Sequence, residues 1–298
     1  MLPILTVMSG RAPRWTLSPS RRRLITVALM VVALAGSLSV AHAQRIFSGF
    51  YGSAPPKFPT ATSYDGQFNF CRAMFSSDHR EKQGWGTDYP GADLNFSTRL
   101  GELTKIPVKK VMQGSELVPD AVVVRFTDDW LFKCQFVLME DAGTVQFSDA
   151  EVERLRAYLL KGGFLLAADY HGSWAKEQFD LEIGRVLPHP SYPIVDLTPP
   201  DHPIWNTMFG VQRIPQMASI QTWRRTGGST IERWNENGAP PSVRGIADDK
   251  GRLVVVMVHN TDLPDPWERE GEESEYFFRF SPEAYRVGID ILIYALTH

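Results

Sequence analysis

The hydrophobic pattern is clearest in residues 147–172, where a helical period gives way to a continuous apolar run. Ser148 and Glu151 predict a capping box, in which the side chain of each residue accepts the backbone N–H of the other. Gly162 follows where a left-handed turn would end such a helix. Residues 164–168 are all apolar, which indicates a strand buried on both faces of a parallel sheet. Between cap and glycine, apolar side chains recur at helical spacing, at Val152, Leu155 and Leu159.

The same criteria divide much of the chain into short apolar strands and amphipathic helices. Strands are predicted at 67–75, 121–126, 136–139 and 253–258. Helices are predicted at 92–103, 173–187 and 281–298, the last with Pro282 at its favoured first position. The alternation of strands and helices predicts an α/β fold with a mostly parallel sheet.

Three segments follow neither period. Prolines break residues 188–203 into extended pieces. Residues 218–247 are interpreted as short strands with a loop at 235–241, and residues 269–276 as an exposed acidic loop.

Polar side chains follow two of the predicted strands directly. Asp169 and His171 come after residues 164–168, and His259, Asn260 and Asp262 come after residues 253–258. In an open α/β sheet, ligands bind in the crevice beyond the carboxyl ends of the strands. We therefore expect these residues to share one edge and to bind a ligand there, and Asp88 could reach the same crevice.

The same residues allow a metal site as an alternative. Asp169, His171 and His259, joined by His202 from a loop, would suit zinc or iron with open positions. Such an ion could activate water for hydrolysis. No local metal motif such as His-Glu-x-x-His supports the alternative, and purely structural roles at strand ends and turns remain a third interpretation. We assign Asp93 a structural role at the start of the helix at 92–103.

The N-terminal segment has the features of an export signal. Residues 20–25, SRRRLI, resemble the twin-arginine pattern, and an apolar stretch at 24–40 follows. Small residues at Ala41 and Ala43 predict cleavage before Gln44. An uncleaved membrane anchor and the general secretion route are the alternatives.

The predicted organisation is a signal peptide at 1–43, a flexible lead-in at 44–66 and one α/β domain at 67–298. The expected location is the periplasm, with no stable membrane span once the signal is cleaved. Without the five arginines of residues 1–43, the remainder has 26 Lys and Arg against 34 Asp and Glu, a formal net charge of −8. This acidic character argues against nucleic acid as a partner. An unidentified small ligand or an envelope protein is the expected partner.

Cys71 and Cys134 have apolar or aromatic neighbours in the sequence. A disulfide is allowed in an oxidising compartment, but we favour two buried thiols because sequence cannot show that the Cα atoms come within range.

Several segments resemble the bacterial family known as domain of unknown function 4159. They are GWGTDYPGADLNFSTRL (84–100), FSDAEVERLRAYLLKGGFLLAADYHG (147–172), DHPIW (201–205), KGRLVVVMVHNTDLPDPWE (250–268) and SPEAYRVGIDILIYALTH (281–298). The resemblance implies a flavodoxin-like, doubly wound sheet of the class I glutamine amidotransferase-like type. Many relatives have an acidic pair where this chain has Ala168-Asp169.

Amidotransferase chemistry is not expected. It requires a cysteine at a sharp, glycine-flanked strand-to-helix turn, and this chain has Asp169-Tyr170-His171 at the corresponding turn. Neither cysteine has glycine neighbours. Three functions remain: ligand or partner recognition, which we favour, a metal-dependent hydrolase, and a scaffold in an envelope complex that uses residues 188–203.

Overall fold

Five parallel strands form the centre of the sheet. The computed structural model describes residues 54–77, 84–233 and 235–298. Numbered in chain order within these residues, the parallel strands are β1 (Phe70–Met74), β4 (Ala121–Arg125), β5 (Val137–Met139), β6 (Leu165–Ala167) and β9 (Leu253–His259). Their order is β4-β1-β5-β6-β9, so the chain winds outward from β1 in both directions. This is the flavodoxin-like, doubly wound arrangement.

Antiparallel strands complete the architecture. β8 (Ser242–Ala247) pairs with β9, and β7 (Ile194–Asp196) pairs with β8. A separate hairpin consists of β2 (Lys110–Gln113) and β3 (Glu116–Pro119). At the opposite edge of the sheet, the backbone N–H of Val123 in β4 donates to the carbonyl of Lys57 at 2.8 Å, so the described part of the lead-in contacts this strand.

Helices cover both faces of the sheet. α1 (Gly91–Leu103) and α6 (Ser274–Thr297) pack on one face, together with the shorter α4 (Ile220–Thr226) and α5 (Asp265–Glu268). α2 (Asp149–Leu160) and α3 (Gly172–Val186) pack on the other. Both faces of the central strands are buried, as the continuous apolar run at 164–168 predicted.

The capping box at α2 is confirmed. The Ser148 hydroxyl accepts the Glu151 N–H at 3.3 Å, and the Glu151 carboxylate accepts the Ser148 N–H at 2.8 Å. Gly162 has φ +112°, the left-handed conformation expected after this helix.

The predicted start of the last helix was wrong. α6 begins at Ser274, and Pro282 lies inside it. The rings of Tyr276 and Phe280 pack on Trp223 with centroids 6.1 and 5.3 Å away, and this apolar contact holds the added turns against the core. The predicted acidic loop at 269–276 therefore ends where α6 begins.

Residues 218–247 also differ from the prediction of short strands. Residues 220–226 form the helix α4, whose cap is the Ser219 hydroxyl accepting the Thr222 N–H at 3.3 Å. Gly227, with φ +69°, ends it. Only residues 242–247 form a strand in this segment of the described chain.

The two cysteines form a disulfide, so the prediction of two buried thiols was wrong. Cys71 in β1 is joined to Cys134, 63 positions later, with Cα atoms 6.1 Å apart. The fold of β1 next to the segment after β4 brings them within the range that sequence could not establish.

None of the described helices combines the length and apolar character needed to cross a bilayer. The predicted signal peptide, at 1–43, lies outside the described residues.

A matched pair of glycines tests the packing of α6 against α5. A Cβ added at Gly288 in α6 would lie 2.5 Å from the Trp267 ring and 2.8 Å from that of Phe96, whereas one added at Gly184 in α3 would meet nothing within 4 Å. We expect Gly288→Ala to lower the free energy of unfolding by about 1–3 kcal/mol, because the core must shift. Gly184→Ala should raise it by about 0.5–1 kcal/mol. Urea unfolding of both variants measures the difference; equal effects would contradict the described packing.

Candidate functional site

Six acidic side chains converge beyond the carboxyl ends of the parallel strands. One of these acidic residues follows each of β5, β6 and β9, two lie in α5, and one precedes α1. We call them the carboxylate cluster: Asp88, Glu140, Asp169, Asp262, Asp265 and Glu268. The cluster lies where ligands bind in doubly wound folds.

Close packing of α1 on α5 brings Asp88, which precedes α1, close to Asp265 and Glu268 in α5. A Cβ at Gly91 would lie 2.6 Å from Cγ of Glu268, so only glycine permits this approach without displacing the glutamate. The Asn95 side chain in α1 donates to the carbonyl of Trp267 at 2.9 Å. The α5 turn is thereby fixed next to the loop that contains Asp88.

Arg72 anchors the inner wall of the site. This β1 residue is fully buried, and its guanidinium donates to both oxygens of Asp93, to the carbonyl of Thr87 at 2.7 Å and to Glu140. Burial lowers the pKa of Arg72, but the Asp93 and Glu140 carboxylates outweigh this and raise it, so the charge is retained. Glu140 is thereby held at the end of β5.

Three members of the cluster lie within reach of one another. One carboxylate oxygen from each of Asp88, Asp265 and Glu268 lies within 4.8 Å of the other two. Burial, reinforced by Asp265, raises the pKa of Asp88 to about 7. Burial also raises the pKa of Asp265 to about 7 and, with the charge of Asp88, that of Glu268 to about 8. Concentrated negative charge in a poorly hydrated place explains the three shifts.

Glu140 leaves one oxygen unsatisfied. Its side chain is fully buried, Oε2 accepts from Arg72, and Oε1 has no hydrogen-bond partner among the described residues. The Asp88 carboxylate is near enough to share a proton with Glu140. Burial, followed by the charges of Asp88 and Asp169, raises the pKa of Glu140 well above its ordinary value despite Arg72. A buried carboxylate oxygen without a donor is costly when the group is ionised, which agrees with the raised pKa of Glu140.

Backbone strain is concentrated at the same edge. Of the described residues other than glycine, those with positive φ are Asp88, Asp141, Asp169 and Asn260. Asp141 follows Glu140, and Asp169 and Asn260 follow β6 and β9 closely. Such conformations cost about 1–3 kcal/mol each and tend to occur at functional sites.

Among the predicted site residues, Asp88, Asp169 and Asp262 are brought together in the cluster. Burial raises the pKa of Asp262 well above its ordinary value, and the nearby charges of Asp169, Asp265 and Asp88 add to this effect. His171 adjoins the cluster through Asp169, with Nε2 3.2 Å from Oδ1. Its Nδ1 is buried and has no partner in the described part of the chain.

His259 and Asn260 have structural contacts instead. His259 donates through Nε2 to the carbonyl of Gly172 at 2.9 Å, and its Nδ1 lies 3.4 Å from the Ser242 hydroxyl. Burial lowers its pKa to about 4, so the ring is neutral near pH 7. The Asn260 side chain accepts the N–H of Gly172 at 2.9 Å and thereby fixes the start of α3.

His202 is not brought to this edge. Its ring packs 6.0 Å from that of Tyr294, whose hydroxyl accepts the N–H of Leu253 at 3.3 Å. Leu253 begins β9 and His259 ends it, so the two histidines lie near opposite ends of a strand that is roughly 20 Å long.

Glu140, Asp265 and Glu268 were missed as site residues. The strand predicted at 136–139 ends directly before Glu140, so the strand-end rule applied to it would have found this residue. Asp265 and Glu268 had no such signal, because their position depends on the contact between α1 and α5.

The comparisons with known proteins bear on family rather than chemistry. No curated protein matches the chain significantly. A family profile described as Domain of unknown function (DUF4159) matches residues 75–296, which is most of the chain and contains every member of the carboxylate cluster. The chain therefore belongs to the DUF4159 family.

Proposed function

We propose that this protein is exported and that its carboxylate cluster binds a cationic group of a ligand or partner protein. The observation that carries the proposal is the excess of negative charge at one buried edge. In the described residues, the cationic side chains in ion pairs with the cluster are Arg72 and Arg269, apart from the His171 ring. Six carboxylates therefore lack enough positive charge to balance them.

The cluster has an opening. The Glu268 side chain is 18% exposed and Asp88 is partly exposed, while Glu140, Asp262 and Asp265 lie deeper. A positively charged group that enters at Asp88 and Glu268 would meet further carboxylates below. The negative potential of these carboxylates also raises the local concentration of cations.

The disulfide and the N-terminal pattern support export. A disulfide persists in oxidising compartments such as the periplasm and is rare in the cytosol. Residues 20–25 supply the twin-arginine pattern in the same chain.

A metal-dependent hydrolase is the second candidate, favoured by one observation. Asp169 holds His171 so that the buried Nδ1 faces no described partner, which is the state of an imidazole able to accept a proton or bind an ion. The zinc or iron set of Asp169, His171, His202 and His259 is less favoured, because both nitrogens of His259 have contacts and His202 lies elsewhere.

Binding of ammonium groups tests the leading proposal. With EDTA present, spermidine and lysine amide should raise the melting temperature and bind in calorimetric titrations, and glucose should not. The Asp169→Asn/Asp262→Asn variant should weaken binding by at least about tenfold, equivalent to about 1.4 kcal/mol. Glu153→Gln, which removes an exposed charge from α2, should bind as wild type. Equal binding by all three proteins would count against the cluster.

The pKa shifts predict how stability depends on pH. A carboxyl group with a raised native pKa stabilises the fold below its unfolded pKa of about 4, and this contribution is lost as pH rises through the native value. Relative to wild type without divalent ions, Asp88→Asn/Glu268→Gln should therefore be equally stable near pH 4 and more stable by at least about 2 kcal/mol at pH 8.

Asp180 supplies the control of opposite sign. Burial opposes ionisation of Asp180, but hydrogen bonds from Arg244 and Lys176 lower its pKa. Asp180→Asn should thus lose stability relative to wild type as pH rises above about 4. Urea unfolding across this pH range measures both differences, and parallel profiles for the two variants would refute the assigned shifts.

Export through the twin-arginine route has its own test. Arg21→Lys/Arg22→Lys should retain the chain in the cytoplasm of a bacterial host, because this route requires the arginine pair, whereas Arg11→Lys/Arg14→Lys should leave export unchanged. Cell fractionation with thiol alkylation reports location and the Cys71–Cys134 bond together. Normal periplasmic delivery of the first variant would exclude the twin-arginine route.

A further inference from the structure

We propose that Asp88, Asp265 and Glu268 bind one hard divalent cation of the Ca²⁺ or Mn²⁺ class, with Glu140 Oε1 as a further ligand. The inference rests on the proposed function, since it names a cation that three members of the carboxylate cluster would bind. It replaces the histidine-based zinc or iron set with oxygen ligands.

The spacing of the three oxygens fits a single ion. Ca²⁺ binds oxygen at about 2.3–2.6 Å, so two ligands on opposite sides of the ion lie about 4.8 Å apart. Every pair among Asp88, Asp265 and Glu268 meets that limit. The three therefore need no rearrangement of the backbone to share an ion.

The unsatisfied oxygen of Glu140 is the independent observation. An acidic group alone does not define a metal site, because acids often cluster on protein surfaces. Glu140 is fully buried, however, and in the described structure no donor reaches Oε1, although Arg72 holds Oε2. Its neighbour Asp88 likewise has a buried oxygen, Oδ2, for which no described residue donates. The side chains of Asp88 and Glu140 lie close enough to interact, so a cation bound at Asp88 would also be near the unsatisfied oxygen of Glu140.

The contacts of Asp265 leave one of its two oxygens available for this role. Asp265 Oδ2 accepts the N–H of Ile220 at 3.0 Å and the hydroxyl of Tyr276 at 2.7 Å, which fixes the carboxylate. Its Oδ1 lies 3.9 Å from Arg269 Nε, beyond hydrogen-bonding distance. Second contacts that orient a ligand in this way are typical of metal sites.

The all-oxygen composition selects the class of ion. Carboxylates suit Ca²⁺, Mg²⁺ and Mn²⁺, whereas zinc and iron sites usually include nitrogen or sulfur ligands. The histidine nearest the cluster, His171, contacts Asp169 rather than any of the four proposed ligands in the described contacts. A hard cation is therefore the better match.

Metal titration tests the inference directly. Protein stripped with EDTA should bind one equivalent of Mn²⁺ or Ca²⁺ with a Kd below about 10⁻⁴ M. Terbium(III), a luminescent substitute for Ca²⁺, should be sensitised by Trp267, which lies between two of the ligands in sequence. Asp88→Asn and Glu268→Gln should each weaken Mn²⁺ binding by at least about tenfold, and Glu140→Gln should weaken it while circular dichroism confirms folding.

The control removes a charge of matched exposure. The Glu270 side chain is 18% exposed, as is that of Glu268, but it pairs with Arg99 and Tyr285. Glu270→Gln should change Mn²⁺ affinity by less than about threefold, because screened surface charge contributes little. A change as large as that of Glu268→Gln would show that general negative potential, and not coordination, attracts the ion.

Other outcomes separate this inference from the proposed function. Failure to bind Mn²⁺, Ca²⁺ or terbium at millimolar concentration, with spermidine still bound, would overturn the metal site and leave the proposed function intact. Metal binding without any ammonium binding would support the metal site and contradict recognition of an organic cation. A protonated-carboxyl infrared band that persists at pH 7 with saturating Ca²⁺ would show that a proton bridges Asp88 and Glu140, and would also overturn the inference.

Discussion

The buried guanidinium of Arg72 is the contact on which the arrangement of the site depends. A fully buried cation in β1 is tolerated because each of its three nitrogens donates to an acceptor on a neighbouring element: Asp93 in α1, the loop before α1, or Glu140 after β5. Removal of one partner from such a pair typically costs about 3–5 kcal/mol. Arginine suits the position better than lysine, since its planar fork can donate in several fixed directions at once. The same contacts that offset burial of this charge fix the helix and loop that contain Asp88.

Arg72 alone cannot neutralise the negative charge of the carboxylates around it. Arg72 already faces two buried carboxylates, and the cluster beyond Glu140 adds more negative charge, for which the described residues supply Arg269 and the His171 ring as partners. The protein without ligand must therefore keep protons on some of these groups, which is the physical meaning of the raised pKa values at Asp88, Asp265 and Glu268. A cation that enters must displace those protons. For the proposed cation, affinity would therefore rise with pH, whereas the stability of the protein without ligand falls as pH rises.

The sequence patterns predicted the layers of the α/β fold well but only part of the carboxylate cluster, and the reasons can be named. Apolar runs located the parallel strands, and the strand-end rule placed Asp169 and Asp262 at one edge because a strand end is a local property. The ion pair between Arg72 and Asp93 was not predicted, since a pairing between β1 and α1 has no local signature in the sequence. Asp265 and Glu268 depend on the contact of Gly91 with α5, and the early start of α6 depends on Trp223, which is distant in sequence. The contacts of His259 were not predicted for a related reason. Its position at a strand end was right, but its contacts with Gly172 and Ser242 arise only in the folded chain.

β1 contributes both to the disulfide and to the candidate site, because its side chains alternate between the two faces of the sheet. Successive strand residues point to opposite sides of a sheet. Cys71 therefore faces the side covered by α2 and α3, where it bonds Cys134, while Arg72 faces α1 and reaches Asp93 and Glu140. The strand that positions the innermost carboxylate is thus held covalently on one face and by ion pairs on the other. Because the disulfide closes a separation of 63 positions, it removes much of the freedom of the unfolded chain and favours the state in which Arg72 is buried. Formation of the Cys71–Cys134 bond and assembly of the carboxylate cluster are therefore linked through a single strand.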